Sequence, residues 1–485
     1  MQSPASAAWL PLLVVAAACG GPGPAVGAGA GGAAGCSSAS CDTSAGEIGV
    51  AGSAGESLGG ATAGQGSGGS TADGCVDLRI DGSALDQTLS SSAVSRTPFW
   101  LDAKGAHVPW LLLPDAQALV VSTVGWNDLE SVRHDQYEVF PKQIPAGDRG
   151  FFDAVGEPQG SFAIAWGFRD AGGATTSQHV LLGDTADATS WTSWSPETQW
   201  YPAVAFHLGW DGEAFAIHLA SSQSSDLRLA RVSATRTLLN DVDRAGTVGP
   251  VGYNDADFAT DSGSGKSWMI FSASRGVKLT GHDRAGSVAA VLGDSAELAV
   301  LPDGAETPNL PGSYPALAFD LDGLMLVWTD SHSTTWLQHL DDSLVSTGPA
   351  LAIPPEQLGD PERFPPAELK DKTAYRHDGR WYVAASNQHT VELFAASESE
   401  ITDRWTILQS SRADDCLTDW GCDLLSIRSL EFAEWNGELW LGFLDYSENN
   451  VDEDPFMLPF QSAYRIVKVK EGCSYKTLWD IRREL

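Results

Sequence analysis

A strand–turn–strand element recurs along this chain, and its spacing constrains the fold more than any other feature. Each copy contains a short apolar strand, a turn with glycine, and a second strand of consecutive apolar residues. Seven copies of one unit predict a repeat architecture in which neighbouring units bury each other's faces. Four copies are clear and three are weaker: the clear ones lie at 201–219, 314–328, 374–385 and 430–443, the others at 108–121, 151–166 and 251–273.

The turns of the four clear copies carry Asp-Gly or Asn-Gly pairs. A type I′ hairpin needs positive φ at both central residues, and its twist matches that of the flanking strands. Aspartate, asparagine and glycine are the residues that adopt this conformation most readily. We therefore predict type I′ hairpins at four pairs: Asp211-Gly212, Asp322-Gly323, Asp378-Gly379 and Asn436-Gly437.

Turn glycines mark the period of the repeat. Successive markers are separated by 52, 53, 58, 56 and 58 residues, and a further copy is expected upstream near Ala116. The second strand of each unit is apolar on consecutive residues, which indicates that both of its faces are covered. Further strands in each unit bring the number to about four. The markers are Gly160, Gly212, Gly265, Gly323, Gly379 and Gly437.

These features favour an all-β fold, a β-propeller of seven blades with about four antiparallel strands each, over residues 75–485. The resemblance is to β-propellers as a fold class, because the kelch and WD signatures are absent. An Asp-box is also absent, since Gly263 stands where its aspartate would be. Six or eight blades, or tandem β-sandwiches, are the alternatives.

The first 19 residues are typical of an export signal. Residues 8–19 form an apolar stretch that is too short to span a membrane and ends in small residues, as a signal peptide does. The ending Ala16-Ala17-Ala18-Cys19 resembles a bacterial lipobox, which implies lipidation of Cys19 and retention at a membrane surface. We expect an exported protein of the cell envelope, held at the outer membrane or cell surface, with plain secretion as the alternative.

Residues 20–74 are about one-third glycine, with alanine and serine making up most of the remainder. Such a segment buries too little apolar surface to offset the entropy of ordering, so it is predicted to be a disordered tether. A leader of this kind on an acidic chain is similar to those of myxobacterial surface lipoproteins. That resemblance covers the first 75 residues and implies no function.

Six cysteines remain once Cys19 is set aside, and disulfides are expected in an exported protein. Six cysteines allow fifteen pairings. Proximity along the chain favours one disulfide within the tether and one within a short loop, which leaves a third that joins the two ends of the propeller. The three predicted pairs are Cys36–Cys41, Cys416–Cys422 and Cys75–Cys473.

The chain carries a formal net charge of −34 and has no basic stripe, which argues against nucleic acid as a partner. The ten histidines are scattered singly, so we interpret most of them as packing or surface residues and predict no transition-metal site. One acidic segment offers enough oxygens to be a candidate calcium site, and no other cofactor is expected. Its carboxylates are Asp445, Glu448, Asp452 and Asp454.

Ligands of propellers contact the face on which the loops after each second strand meet the entries to the first strands. In this sequence those loops are polar and differ from one blade to the next. The candidate ligand-binding residues are Arg169, Arg275, Asp330, His332, Asn387, His389, Asp445 and Tyr446.

The sequence favours a non-catalytic binding platform for a protein, glycan or peptide, and we expect a monomer anchored by its lipid. The alternative is an extracytoplasmic polysaccharide hydrolase or lyase. Such an enzyme would need carboxylates such as Asp330 and Asp445 roughly 5 to 10 Å apart.

Overall fold

A computed structural model of the chain describes nineteen stretches and one further residue, all within one compact unit that spans 54–485. No helix in this part of the chain is long and apolar enough to cross a membrane. The described residues are 69–70, 74–81, 98–112, 118–138, 151–169, 175–194, 203–221, 226–247, 256–273, 276–285, 288–292, 315–320, 323–330, 333–341, 345–354, 371–386, 390–409, 424–448, 461–478 and 481.

Seven antiparallel sheets, which we call blades 1 to 7, follow one another along the chain after two short strands, β1 (Gly69–Ser70) and β2 (Val76–Asp81). In blades 1 to 6 each strand pairs with the next in sequence. Blade 1 has β3 (Trp100–Asp102), β4 (Gly105–Leu112), β5 (Ala118–Gly125) and β6 (Asp128–Glu138); blade 2 has β7 (Phe151–Gly156), β8 (Ser161–Arg169), β9 (Thr175–Asp184) and β10 (Asp187–Trp194); blade 3 has β11 (Ala203–Trp210), β12 (Phe215–Ser221), β13 (Asp226–Val232) and β14 (Leu238–Thr247).

The remaining blades repeat this arrangement, and the last is completed from the other end of the chain. Blade 4 has β15 (Ala256–Thr260), β16 (Ser267–Ala273), β17 (Gly276–His282) and β18 (Val288–Leu292); blade 5 has β19 (Ala316–Asp320), β20 (Gly323–Thr329), β21 (Thr335–Leu340) and β22 (Leu351–Ile353); blade 6 has β23 (Asp371–His377), β24 (Arg380–Ser386), β25 (Thr390–Ala396) and β26 (Ile401–Gln409); blade 7 has β27 (Leu424–Trp435), β28 (Glu438–Glu448), β29 (Gln461–Lys468) and β2. A last strand, β30 (Tyr475–Lys476), adds to β26 in parallel.

The first strands of neighbouring blades contact one another all the way round, from β3 through β27 and back to β3. They form the inner wall of a closed ring, and the fourth strands lie outside. The predicted seven-bladed, all-β propeller is therefore confirmed. The second strands are buried on both faces as expected, and every residue of β20 is buried.

Two of the predicted type I′ turns are confirmed by their backbone angles. Asp378 and Gly379 have φ of 47° and 73°, and Asn436 and Gly437 have φ of 52° and 72°. The prediction at Asp211 is wrong. There the connection is four residues long, 211–214, and the Asp211 carboxylate accepts the backbone N–H groups of the two residues that follow Gly212.

The hairpin of blade 1 also differs from the prediction. The first turn lies at 103–104, immediately before Gly105, whereas the position predicted near Ala116 falls between the second and third strands. The stretch 108–121 thus covers β4 and β5 rather than β3 and β4. With Gly105 as the marker, the spacing to Gly160 is 55 residues, which agrees with the other blades. Asp322 lies outside the described residues.

Hydrophobic clusters fill the joints between neighbouring blades. At the joint between blades 1 and 2, Trp100 packs against Phe162 with 5.2 Å between ring centroids, and Gly156 leaves room for the indole. A Cβ atom on Gly156 would stand 2.0 Å from Cδ1 of Trp100. The close approach of the two blades therefore depends on the missing side chain.

We predict that Gly156→Ala lowers the free energy of unfolding by about 1 to 3 kcal/mol, because Trp100 must leave its rotamer or the blades must separate. The matched control is Gly125→Ala, where the nearest atom to a new Cβ is the Lys104 carbonyl oxygen at 3.6 Å. Urea unfolding followed by tryptophan fluorescence measures both. Equal stability of the two variants would contradict this account of the joint.

Blade 7 is closed by hydrogen bonds and by a disulfide. β2 pairs with β29 in antiparallel register, and Cys75, which precedes β2, is bonded to Cys473, which follows β29, with 5.7 Å between their Cα atoms. The predicted Cys75–Cys473 pair is thus present. In the other blades a hairpin joins the third and fourth strands, so the disulfide supplies the covalent link that blade 7 lacks.

We predict that replacing both Cys75 and Cys473 by alanine destabilises the domain by up to about 5 kcal/mol, because a long loop in the unfolded chain is released. The control is the double replacement of Cys416 and Cys422, whose short predicted loop makes a smaller difference. The midpoints of denaturant unfolding compare the two. A larger loss in the control would show that closure does not depend on this disulfide.

Candidate functional site

The two faces of the ring carry connections of different kinds. On one, which we call the hairpin face, first strands turn into second strands and third strands into fourth. Most of these connections are tight, for example 103–104, 126–127, 185–186, 378–379 and 436–437, and the longest is 341–350.

The opposite face, which we call the long-connection face, carries the links from each blade to the next and those between second and third strands. The links between blades are longer and unequal in length. They are 82–99, 139–150, 195–202, 248–255, 293–315, 354–370 and 410–423. A uniform scaffold with one variable face is the usual arrangement of a binding surface.

In chain order, the predicted ligand-binding residues fall at the ends of second strands or between second and third strands. Arg169 ends β8, where its backbone pairs with that of Thr175, and Tyr446 and Glu448 lie near the end of β28. Nothing is described of the side chains of Arg169, Tyr446 and Glu448. The remaining predicted residues lie outside the described part of the chain, and their roles stay predictions: Arg275, His332, Asn387, His389, Asp452 and Asp454, with Cys19, Cys36, Cys41, Cys416 and Cys422.

Asp330 lies directly after β20 and is 2% exposed. Its carboxylate accepts the indole N–H of Trp336 at 2.8 Å and the backbone N–H of Thr334 at 3.0 Å. These bonds hold the connection between the second and third strands of blade 5, so the side chain organises the loop from within.

Asp445 is 1% exposed and lies in β28 beside a fully buried arginine. Arg465 donates to Asp445 at 2.9 Å and to Asp77 of β2 at 2.8 Å, and the backbone N–H of Leu478 also bonds Asp445 at 3.0 Å. Burial raises the pKa of Asp445, and the guanidinium of Arg465 opposes that rise. Burial would lower the pKa of Arg465, but the two carboxylates raise it.

Asp330 and Asp445 therefore hold local structure, one a loop and the other the closure of blade 7. A hydrolase of the kind considered above would need one carboxyl group to reach its substrate as an acid and another to act as base or nucleophile. The described contacts of these two residues give neither of them such a role.

Three carboxylates near the starts of inner strands join blades in pairs, and we call them the inner clasps. Inner strands present an unpaired backbone edge, which needs hydrogen-bond partners. Asp153 of β7 accepts the N–H of Leu208 in β11 at 2.7 Å. Asp257 likewise accepts the backbone N–H of Leu317 at 2.8 Å, and Asp371 accepts that of Leu430 at 3.1 Å.

The inner clasps connect the inner strands of blade 2 to 3, blade 4 to 5, and blade 6 to 7. The sequence patterns did not predict these contacts. The signal available was an aspartate at or near the start of three strands that are otherwise apolar or mixed, about eight residues before the turn glycine. That signal does not reveal which backbone group the carboxylate meets.

A buried Asp–His–Thr arrangement lies in blade 1, at the hairpin face. His107 Nε2 is 3.0 Å from Asp102 Oδ1, and His107 Nδ1 is 2.9 Å from the Thr123 hydroxyl. Burial would raise the pKa of Asp102, but His107, the backbone N–H of Lys104 and the Thr185 hydroxyl lower it below its ordinary value. Asp102 and His107 are both 0% exposed, so this network serves to hold the blade together.

Within the described ranges, no three histidine, cysteine, aspartate or glutamate side chains converge as a metal site would require. The predicted calcium site at 445–454 lies mostly outside those ranges. Of its four carboxylates, only Asp445 has a described side chain, and that side chain is bonded to Arg465.

No family model matches the chain, and no curated protein matches it. Among solved structures, the chain is similar to one in the complex of KlAtg21 with the coiled-coil of AgAtg16, with 12% identity, a TM-score of 0.38, and coverage of 73% of this chain and 94% of that one. It is also similar to a chain of the nidogen/laminin complex, with 12% identity, a TM-score of 0.31, and coverage of 62% and 92%.

A third similar structure is a triple-arginine mutant of AofleA from Arthrobotrys oligospora, with 10% identity, a TM-score of 0.37, and coverage of 71% and 93%. Scores and identities at this level say nothing about a ligand. The assignment of the fold rests on the sheet order and the closed ring.

We predict that Arg465→Met destabilises the domain by about 3 to 5 kcal/mol, because Asp77 and Asp445 are left buried without a counter-charge. The control is Arg380→Met, which breaks an exposed pair with Asp403 and changes stability by about 1 kcal/mol or less. Urea midpoints measure the difference. Similar losses in both variants would mean that the buried cluster does not support closure.

Proposed function

We propose that this chain is an exported lipoprotein, tethered to the envelope through Cys19, whose propeller binds a protein, glycan or peptide on its long-connection face without transforming it. The observation that carries the proposal is the asymmetry of the two faces. Mostly tight hairpins cover one face, whereas long connections of unequal length, such as 293–315 and 354–370, join the blades at the other. Loops held on a rigid scaffold are where binding residues concentrate.

The inner clasps support the proposal because they hold three inner strands against the neighbouring blades. Asp153, Asp257 and Asp371 each fix the entry of an inner strand to its neighbour. A rim that is already ordered reduces the entropy lost when a ligand binds. The acidic net charge of −34 favours ligands that are neutral or basic.

The chemistry of the described carboxylates also favours binding over hydrolysis. Asp330 is bonded to Trp336, and Asp445 is bonded to Arg465. A catalytic acid needs a proton that it can deliver to substrate, and these two groups are engaged in the scaffold.

The ligand is sought with the full chain on a glycan array and on a displayed peptide library. We predict that the triple variant His332→Ala, Asn387→Ala, His389→Ala weakens binding of the selected ligand at least about tenfold, or about 1.4 kcal/mol. The control is Asn127→Ala with Glu398→Ala, both exposed on the hairpin face, which leaves affinity unchanged.

Loss of affinity in the hairpin-face control alone would overturn the assignment of the binding face. Release of sugar fragments from a bound polysaccharide would replace the binding platform by the hydrolase or lyase. The tether is tested separately: the mass of the membrane-extracted protein should include a lipid adduct at Cys19, and its absence would make the chain a secreted protein.

A further inference from the structure

The joint between blades 3 and 4 is packed differently from the hydrophobic joints described above. Across it, the ring of Phe258 in blade 4 lies 4.7 Å from that of His207 and 5.4 Å from that of His218, both in blade 3. His218 in turn lies 5.0 Å from His282 of blade 4. We call these four residues the histidine joint.

Two of the histidines are buried with unsatisfied ring nitrogens. His218 is 0% exposed and His282 is 2% exposed. Neither ring nitrogen of His218 has a hydrogen-bond partner among the described residues, and Nε2 of His282 has none either. Nδ1 of His282 lies 3.1 Å from the carbonyl oxygen of Asp283, so that nitrogen carries the proton of the neutral ring.

This environment favours neutral imidazoles. Burial lowers the pKa of His218 well below its ordinary value, and the charges of His282 and His207 lower it further. The backbone of His207 raises this pKa and offsets part of the fall. Burial also lowers the pKa of His282, against a smaller opposing effect of Asp283. Two protons here would place two positive charges about 5 Å apart between packed sheets.

The other charged side chains around the joint already have partners. On the inner wall, the Asp153 carboxylate of β7 lies 2.8 Å from Nδ1 of His207 and accepts a hydrogen bond from that nitrogen. Asp257 of β15 is bonded to blade 5. At the hairpin end, Arg284 of blade 4 bonds Glu213 of blade 3 across the joint itself, and Glu213 also pairs with Arg231.

The remaining neighbours offer no described counter-charge to His218. Arg231 is held by Asp211, whose carboxylate also closes the turn at 211–214. Nothing is described of the side chain of Lys278, which lies on β17 with His282. A proton on His218 thus meets no described counter-charge, and only the backbone of His207 offsets part of the cost of charging the ring.

We propose that the histidine joint is an acid-sensitive seam of the ring: blades 3 and 4 stay packed while His218 and His282 are neutral, and they separate when these rings bind protons. The seam coincides with a joint that no described inner clasp spans, because the clasps link blades 2 to 3 and 4 to 5. Opening at this joint would alter the long-connection face between the two blades while each sheet stays intact.

The direction of the pH dependence follows from proton linkage. An unfolded or exposed histidine has a pKa near 6.5, and the buried rings have lower values, so the opened state binds protons that the closed state does not. Stability at the seam is full above about pH 7.5 and decreases as the pH falls through about 6.5. Carboxylates with lowered pKa values, such as Asp102, lose their contribution only in a more acidic range, below about pH 5.

Hydrogen exchange of the full chain, read by mass spectrometry at pH 7.5 and 5.0 and corrected for intrinsic rates, tests the seam. At pH 5.0 each histidine can favour opening by up to about 30-fold. We expect at least about tenfold loss of protection in β11, β12 and β15 to β17, and little change in β23 to β25 of blade 6.

His218→Phe should reduce this loss, because a phenyl ring takes up no proton, and the double variant His218→Phe with His282→Phe should abolish it. His282→Phe gives a second, independent variant if the first does not fold. The matched control is His377→Gln at the end of β23, whose ring lies beside Glu434 of blade 7, and this change should leave the loss unchanged. Equal protection of the wild-type seam at both pH values, or a loss that is undiminished in the folded phenylalanine variants, would overturn the proposal.

Discussion

The hydrogen bonds between β2 and β29 are the contact on which the rest of the ring depends. They join residues that are almost 400 positions apart, since Asp77 pairs with Val467. Closing so long a loop costs entropy, and that cost must be offset by contacts that form only in the finished ring. The disulfide and the Asp77–Arg465–Asp445 cluster lie at this place and add to those contacts.

The sequence predicted the fold well because a propeller repeats local patterns. Asp378-Gly379 and Asn436-Gly437 adopt the turns that their chemistry favours, and the apolar second strands are buried on both faces. The failures have local causes as well. The hairpin of blade 1 has no Asp-Gly pair, and at Asp211 the carboxylate binds the turn backbone, which converts a two-residue turn into a longer one.

The candidate site was less predictable, because its contacts join residues from different blades. Asp330 and Asp445 were polar residues in the expected loops, yet their partners Trp336 and Arg465 bury them. The inner clasps and the histidine joint show the same limit. His218 and His282 are 64 positions apart and meet only once two sheets have packed face to face.

Both kinds of joint reflect the same physical requirement. A blade inside a ring has two covered faces and an inner edge, so any polar group placed there must find a partner or remain neutral. Asp153 meets this requirement by accepting a backbone N–H from the next blade. His218 meets it by remaining uncharged.

The inner clasps are not distributed evenly round the ring. Seven is odd, so pairs made of blades 2 and 3, 4 and 5, and 6 and 7 leave blade 1 outside the pairing. The joints are therefore not equivalent: within the described residues, three carry a carboxylate at the inner edge, while others are crossed by different bonds, such as those from Arg284 to blade 3.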